Sequence, residues 1–502
     1  MNPSTFSASF LTNNNSYQSR RKVNSTCFMD YSDFVFVVHP ESGRLEGKES
    51  ERIFYFNSSH GETLERKTQM TGFAEAVVNF TENFTEEKEE LEFPYRYVNT
   101  GKQLHVYILL ESGKFILGCG INKEISIDSD FILRGSAIKA VLITAYKMFR
   151  LFFGSFSRLI VSDVVHLKDR LEYFFSRYLP QLHLHRMPLL DIFSSVSYLS
   201  VDSLNYLRIG SLLDDLMEAF PIISKTMFFY QEHLVTSTVS KSDLPILYRY
   251  LSQNLLCRWL KQELRPDGHT SRESTHRGHF LMSLMTSTAN LSFSSHYDAN
   301  AKLPVVYLCD DINQEKLVPY EMCPILSYQL HRKIYRNQIV YRALNATICM
   351  FIEKNMENGL LQRLDDYLGP DLSALASLIA DSYGTLDGSV KKNEDYYFIY
   401  YNPETMSIKT NFVDNSDCNT NLPSIPSSIY KSVCDMFDEF MEKEDFGEAT
   451  TKFDSDWWIV MKKVNKRFLL LVLRSSTIST GAEMQQWASN IMKNNFDTIF
   501  LY

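Results

Sequence analysis

Along this chain a short block of apolar residues returns three times. Each time, two apolar runs are joined by a polar turn and followed by a segment of helical period. The pairs are Asp33–Val38 with Ile53–Phe56, Thr226–Tyr230 with His233–Thr236, and Tyr396–Tyr401 with Thr405–Thr410. Runs of this length, rich in Phe, Tyr and Val, predict strands. More strands and a longer helix follow each pair. One β-β-α module used three times is the expected architecture, an α/β chain of the α+β type.

In module one, residues 31–200, the segment Lys67–Phe84 predicts a helix. Met70, Phe73, Val77, Phe80 and Phe84 form one apolar stripe, and Glu75, Asn79, Glu82 and Asn83 take the opposite face. The stripe is expected to pack on the module's own sheet, which leaves the polar face to touch a partner. Gln103–Leu110 and Phe115–Ile121 read as a hairpin across Glu111-Ser-Gly-Lys114. Helices are expected over Arg134–Phe153 and Lys168–Leu179, the second ended by Pro180.

Module two, residues 201–385, repeats the plan. Its short helix is Lys241–Asn254, with Ser242-Asp243 as N-cap and Pro245 in the first turn. Gln338–Arg342 and Thr347–Ile352 read as its hairpin. Leu360–Ser382 is its closing helix, expected to kink or break at Gly369-Pro370. Module three, residues 393–502, has a short helix over Pro426–Glu442, a hairpin of Trp457–Met461 with Phe468–Leu473, and a final helix over Ala482–Asn495.

Composition narrows the function. A length of 502 residues fits about three domains of ~150 residues. The net charge of −9 argues against a nucleic-acid binder that relies on phosphate neutralisation. The eight cysteines are scattered singly with no C-x-x-C pair, which reads as buried, reduced thiols in a cytosolic protein. Residues 1–30 lack the apolar core of a signal peptide and read as a disordered Ser/Asn-rich arm. The densest apolar run, Phe468–Leu473, is far shorter than the ~20 residues a membrane span needs.

Catalytic signatures are missing. The chain holds no phosphate-binding G-x-x-x-x-G-K-[ST], no G-x-G-x-x-G, no H-E-x-x-H and no G-x-S-x-G. His269, His276 and His279 sit among Ser, Thr and Arg with no nearby cysteine, so a polar loop is preferred to a metal site, and no cofactor is expected. The acidic stretch Asp435–Asp445 reads as a solvated helix face. The turn of the third hairpin carries Lys462, Lys463, Lys466 and Arg467, flanked in the preceding strand by Trp457 and Trp458. This cluster is the candidate contact for an anionic, phosphoinositide-bearing membrane, where each cation near the surface contributes about 1 kcal/mol.

Several longer runs carry a resemblance. Val165–Leu184 with Asp191-Ile-Phe193, Gly72–Thr81, Leu364–Pro370 and Asp456–Lys463 resemble the vacuolar fusion protein Ccz family. They occur in the family's order from about residue 30 to the C-terminus. None is a catalytic motif, so the specificity lies in their number and sequence. The Ser/Asn-rich arm and the loop around residues 266–300 depart from the family pattern.

The resemblance implies three longin domains, each a five-stranded antiparallel sheet with helices on both faces. It also implies an obligate heterodimer with a Mon subunit and, in metazoans, a third scaffold subunit. The pair it implies is a guanine-nucleotide exchange factor for the late-endosomal and vacuolar Rab GTPase, recruited from the cytoplasm to late endosome, lysosome or vacuole membranes. Exchange makes no covalent bond; it favours one conformation of the GTPase. By that arrangement the Lys67–Phe84 helix belongs to the GTPase platform, and Glu75, Asn79, Glu82 and Asn83 become its candidate contacts. Two other classes stay open: a longin-type subunit of a vesicle coat or tether, and an enzyme with an unrecognised site.

Overall fold

The computed structural model describes residues 28–58, 61–82, 92–123, 135–182, 195–256, 278–281, 305–309, 336–353, 359–390, 396–411, 429, 432–433, 436, 447–453, 456–464, 466–474 and 480–495. Three mixed α/β modules follow one another, each built on an antiparallel sheet with the same strand order.

Sheet 1 comprises β1 (Ser32–Val38), β2 (Ile53–Ser58), β3 (Tyr95–Asn99), β4 (Gln103–Leu110) and β5 (Phe115–Asn122), in the spatial order β2-β1-β5-β4-β3. The β4–β5 turn places Glu111, Ser112 and Gly113 at positive φ, the conformation a tight hairpin demands. The first long helix, α1 (Leu64–Glu82), covers one face. Three more, α2 (Gly135–Phe153), α3 (Phe156–Ser162) and α4 (Val164–Tyr178), build up the other. α2 is apolar nearly all round because it is buried on nearly all sides. A single core runs from sheet 1 through α2 to the inner face of sheet 2.

Sheet 2 repeats the order with β6 (Ile223–Tyr230), β7 (His233–Ser237), β8 (His279–Phe280), β9 (Val305–Val306), β10 (Arg336–Ala343) and β11 (Ala346–Ile352). One edge differs from the other modules. Two short pieces share it, β8 beside Tyr341–Arg342 and β9 beside Arg336–Asn337. The outer face carries α5 (Ser203–Ala219), which precedes the sheet, and α7 (Leu360–Val390). The inner face carries α6 (Leu244–Arg249), which runs into a π-helical turn over Tyr250–Leu256. α7 continues unbroken through Pro370 rather than stopping there. The ring removes a hydrogen bond to the carbonyl of Asp366, and that residue is exposed, so water can replace it.

Sheet 3 comprises β12 (Tyr396–Asn402), β13 (Ser407–Thr410), β14 (Glu448–Phe453), β15 (Trp457–Val464) and β16 (Arg467–Arg474), ordered β13-β12-β16-β15-β14. α8 (Gly481–Asn495) packs on one face. Ile429, Val433 and Met436 pack on the other at helical spacing; the rest of the short helix expected there lies outside the described residues.

Two devices join the modules. Residues 195–199 lie between the edge strands of sheets 2 and 3. Leu199 N–H donates to Leu234 O at 2.8 Å, and Val196 N–H donates to Met406 O at 2.8 Å. One segment thus covers two edges that would otherwise be open to stray pairing. The stretch that follows β9 straps α2 to module two. Tyr307 N–H donates to Leu151 O at 2.8 Å, Arg150 reaches Cys309 Sγ at 2.6 Å, and Cys309 N–H donates to Asp243 Oδ2 at 2.7 Å. Asp243 is therefore committed to this strap, and its side chain does not cap α6.

Candidate functional site

The α1 surface of module one is set by what lies beneath it. The covered face of sheet 1 carries the rings of Phe34, Phe36, Phe56 and Tyr107. Those of Phe34 and Phe36 lie across β5, directly opposite Gly120 and Gly118 in the register. A Cβ at Gly118 would come within 2.4 Å of Phe36 Cζ, and one at Gly120 within 2.4 Å of Phe34 Cε1. The glycines make room for flat rings, and the rings fill the space that helix side chains would occupy.

Only small residues of α1 then fit inward. Its buried positions are Thr71, Ala74 and Val78. This corrects the expectation that the Met70, Phe73, Val77, Phe80 and Phe84 stripe packs on the sheet. Met70 and Val77 are half-buried at its margin, whereas Phe73 is 46% exposed and Phe80 66%. Phe84 lies outside the described residues. An apolar strip therefore faces outward, the kind of surface that marks a protein contact.

The polar candidates separate. Glu75 is half-buried and ion-paired with Arg52 at 2.6 Å, while Arg52 also donates to Gly43 O at 3.0 Å. This carboxylate ties α1 to the turn before β2. Asn79 and Glu82 are exposed near the end of the helix, and Asn83 lies outside the described residues. Beneath Phe73 sits His105, edge-on at 5.9 Å and buried. Its Nδ1 shares a hydrogen bond with Tyr107 Oη at 2.8 Å, and its Nε2 one with Gln103 Oε1 at 3.1 Å. Burial lowers its pKa, opposed by the charge of Asp33. The imidazole is thus a neutral part of the platform that supports the strip.

At the hairpin of module three the cations do not share one face. β15 and β16 pair out to Val464 opposite Arg467. Strand alternation sends Lys462 and Arg467 to the α8 side and Lys463 to the other. Lys466 is exposed in the turn, at φ 65°. Trp457 and Trp458 do not flank this tip. They pair with Arg474 and Leu473 at the far end of the hairpin, about 20 Å away at ~3.3 Å per residue, and both are buried.

Of the histidines considered for metal, His279 sits in β8 opposite Arg342; His269 and His276 lie outside the described residues, as does most of the acidic stretch 435–445. No group of three His, Cys, Asp or Glu among the described residues could hold a metal ion. Cys119, Cys309 and Cys349 are free and buried, and burial pushes the thiols of Cys309 and Cys349 up to about 12. No helix among the described residues is long and apolar enough to cross a membrane.

Three family models match in succession, one for each sheet. Residues 32–154 match the first longin domain of INTU, CCZ1 and HPS4, residues 223–371 match Intu longin-like domain 2, and residues 392–493 match Intu longin-like domain 3. The fold and these matches define a protein of three longin domains. Similarity to whole proteins is also end to end. The chain is 28% identical to the Xenopus laevis vacuolar fusion protein CCZ1 homolog over 487 residues, which covers 93% of this chain and 96% of that protein. It is 26% identical to the homologs of Danio rerio and Nematostella vectensis, over 93% of this chain in each case and 94% and 96% of theirs. The chain belongs to the vacuolar fusion protein CCZ1 family.

Proposed function

We propose that this chain acts in vacuolar and late-endosomal fusion as one subunit of a guanine-nucleotide exchange factor. It pairs with a Mon subunit, engages the late-endosomal Rab GTPase through module one and rests on anionic membranes when recruited. Family membership and three successive longin modules support the first part. The observation that carries the reading to a surface is the outward strip of α1, with Phe73 and Phe80 exposed above a platform too full of rings to admit them. A GTPase or a paired longin module would cover such a strip; the polar neighbours Asn79 and Glu82 would lie at its border. For the membrane, the supporting feature is the exposed turn with Lys466, bordered by Lys462 and Arg467 on the α8 side.

The test is release of fluorescent GDP from the late-endosomal Rab by the chain co-purified with a Mon subunit. Acceleration over the intrinsic rate supports exchange. A stable pair that leaves release unchanged moves the chain to the coat or tether class, where the same fold serves assembly alone.

A further inference from the structure

Module two carries a second exposed apolar surface, remote from α1, on the outer side of α5 and α7. The two helices run antiparallel. Asn205 Nδ2 donates to Ser382 Oγ at 3.0 Å near one end, and the rings of Phe220 and Tyr367 meet at 5.5 Å near the other. α5 turns Asn205, Ile209, Leu212, Leu213 and Leu216 inward. Leu204 and Leu207, one turn apart, are left 57% and 69% exposed, and Leu378, one turn before Ser382, is 41% exposed. At the opposite end of the same cleft the character changes. Asp215, Glu218 and Asp371 surround Tyr367, whose phenol is held above its ordinary pKa by burial and then by Asp215, Asp371 and Glu218. Asp215 accepts a hydrogen bond from Ser211 at 3.4 Å, and no ion pair joins any of the three carboxylates to a cation among the described residues. Arg208, at the apolar end, donates to Asn205 Oδ1 at 3.2 Å.

The cleft is thus graded along its length, from leucines to uncompensated carboxylates. Leu204 and Asp215 are three helical turns apart, about 16 Å at 1.5 Å per residue. Helix-in-groove recognition reads apolar anchors at helical spacing, and charge at the rim fixes direction. Three carboxylates would repel an anionic lipid surface, which leaves protein as the occupant. We propose that the α5–α7 cleft of module two binds an amphipathic helix of a partner polypeptide, with its apolar anchors on Leu204, Leu207 and Leu378 and its Lys/Arg cluster on Asp215, Glu218 and Asp371. The site lies outside module one, so it stands or falls separately from the exchange reading.

The probe is a synthetic helix of about 18 residues with three leucines at one end and three lysines about eleven residues further on along the same face. Binding to the full-length chain, as it purifies, is followed by fluorescence anisotropy at low and high salt. Expected are saturable binding weakened by salt, a loss of about tenfold or more with Leu207→Asp, and a comparable loss with Asp215→Lys plus Asp371→Lys. The charge-swapped chain should recover binding to a peptide with glutamates in place of the lysines. Thermal unfolding of each variant shows that the fold is retained, as expected for exposed positions. No binding at millimolar peptide, binding indifferent to either class of substitution, or equal binding of a peptide with its two ends exchanged would overturn the proposal. Vesicles containing phosphatidylserine that bind through this face, with loss on Leu207→Asp, would also overturn it and assign the cleft to membrane.

Discussion

Gly118→Ala tests the packing logic that turns the α1 aromatic strip outward. The added Cβ would sit 2.4 Å from Phe36 Cζ and 2.8 Å from Tyr107 Cδ1, where carbon atoms need about 3.5 Å or more. The Phe36 ring has little freedom to retreat. It is fully buried, with Phe34 at 5.9 Å and Phe56 at 6.3 Å, both stacked. Overpacking of this kind costs about 1–3 kcal/mol. Alanine returns about 0.5–1 kcal/mol by restricting the unfolded chain. A net loss of about 1–2 kcal/mol is expected, confined to module one. Hydrogen exchange is the suitable assay, because three modules need not unfold in one step. Amides of β1, β5 and α1 should exchange roughly five- to thirtyfold faster, while those of β12 and β16 stay unchanged. Pairing the change with Phe36→Leu should recover part of the loss, a coupling that a double-mutant cycle reads directly. Unchanged or slower exchange in β1 and β5 would refute the argument that rings occupy the glycine face.

Three further outcomes follow from particular contacts. Glu111 accepts hydrogen bonds from Phe156 N–H and Ser157 N–H, both at 2.6 Å, and from Tyr146 Oη at 2.7 Å, so it caps α3 from a distant hairpin turn. Glu111→Ala should cost about 2–3 kcal/mol and expose residues 156–162 to hydrogen exchange. His39, His105 and His233 all have pKa values lowered chiefly by burial, so the unfolded chain takes up protons first as pH falls below 6.5. Stability in urea should therefore be lower at pH 5.5 than at pH 7.5, and an equal or higher midpoint at pH 5.5 would contradict that sign. Reversing Lys462, Lys463, Lys466 and Arg467 should weaken binding to anionic liposomes, most clearly at low salt; unchanged binding would leave the cluster as a solvated turn.

The repeated β-β-α pattern was legible because strand pairs and hairpins are local. The β4–β5 hairpin, for example, falls within a residue of its expected bounds. What escaped was settled by tertiary context. The α1 stripe points inward by sequence alone because the most apolar arc of a helix usually faces its sheet. The contrary signal was Gly118 and Gly120, two glycines alternating on one strand face, which announce large rings opposite. α5 shows no clean helical period because Leu204 and Leu207 stand outside its buried arc. The split edge of β8 and β9 and the 195–199 segment are too short to carry any periodicity of their own. Trp457 and Trp458 are near the cationic tip in sequence, whereas an extended strand carries them to the opposite end of the hairpin.

The central claim is that the outward strip of α1 is a working surface rather than misplaced core. Phe80→Ser examines it most directly, because a ring 66% exposed contributes only about 1 kcal/mol to folding, a third of a full Phe truncation. The measurement is Rab nucleotide release by the chain with the proposed Mon subunit, with co-purification yield read in parallel and Asn79→Ala/Glu82→Ala compared alongside. Phe80→Ser should lower either assembly or release at least tenfold while hydrogen exchange in β1 and β5 stays as in the wild type. A fully assembled pair releasing nucleotide at the wild-type rate would contradict the account.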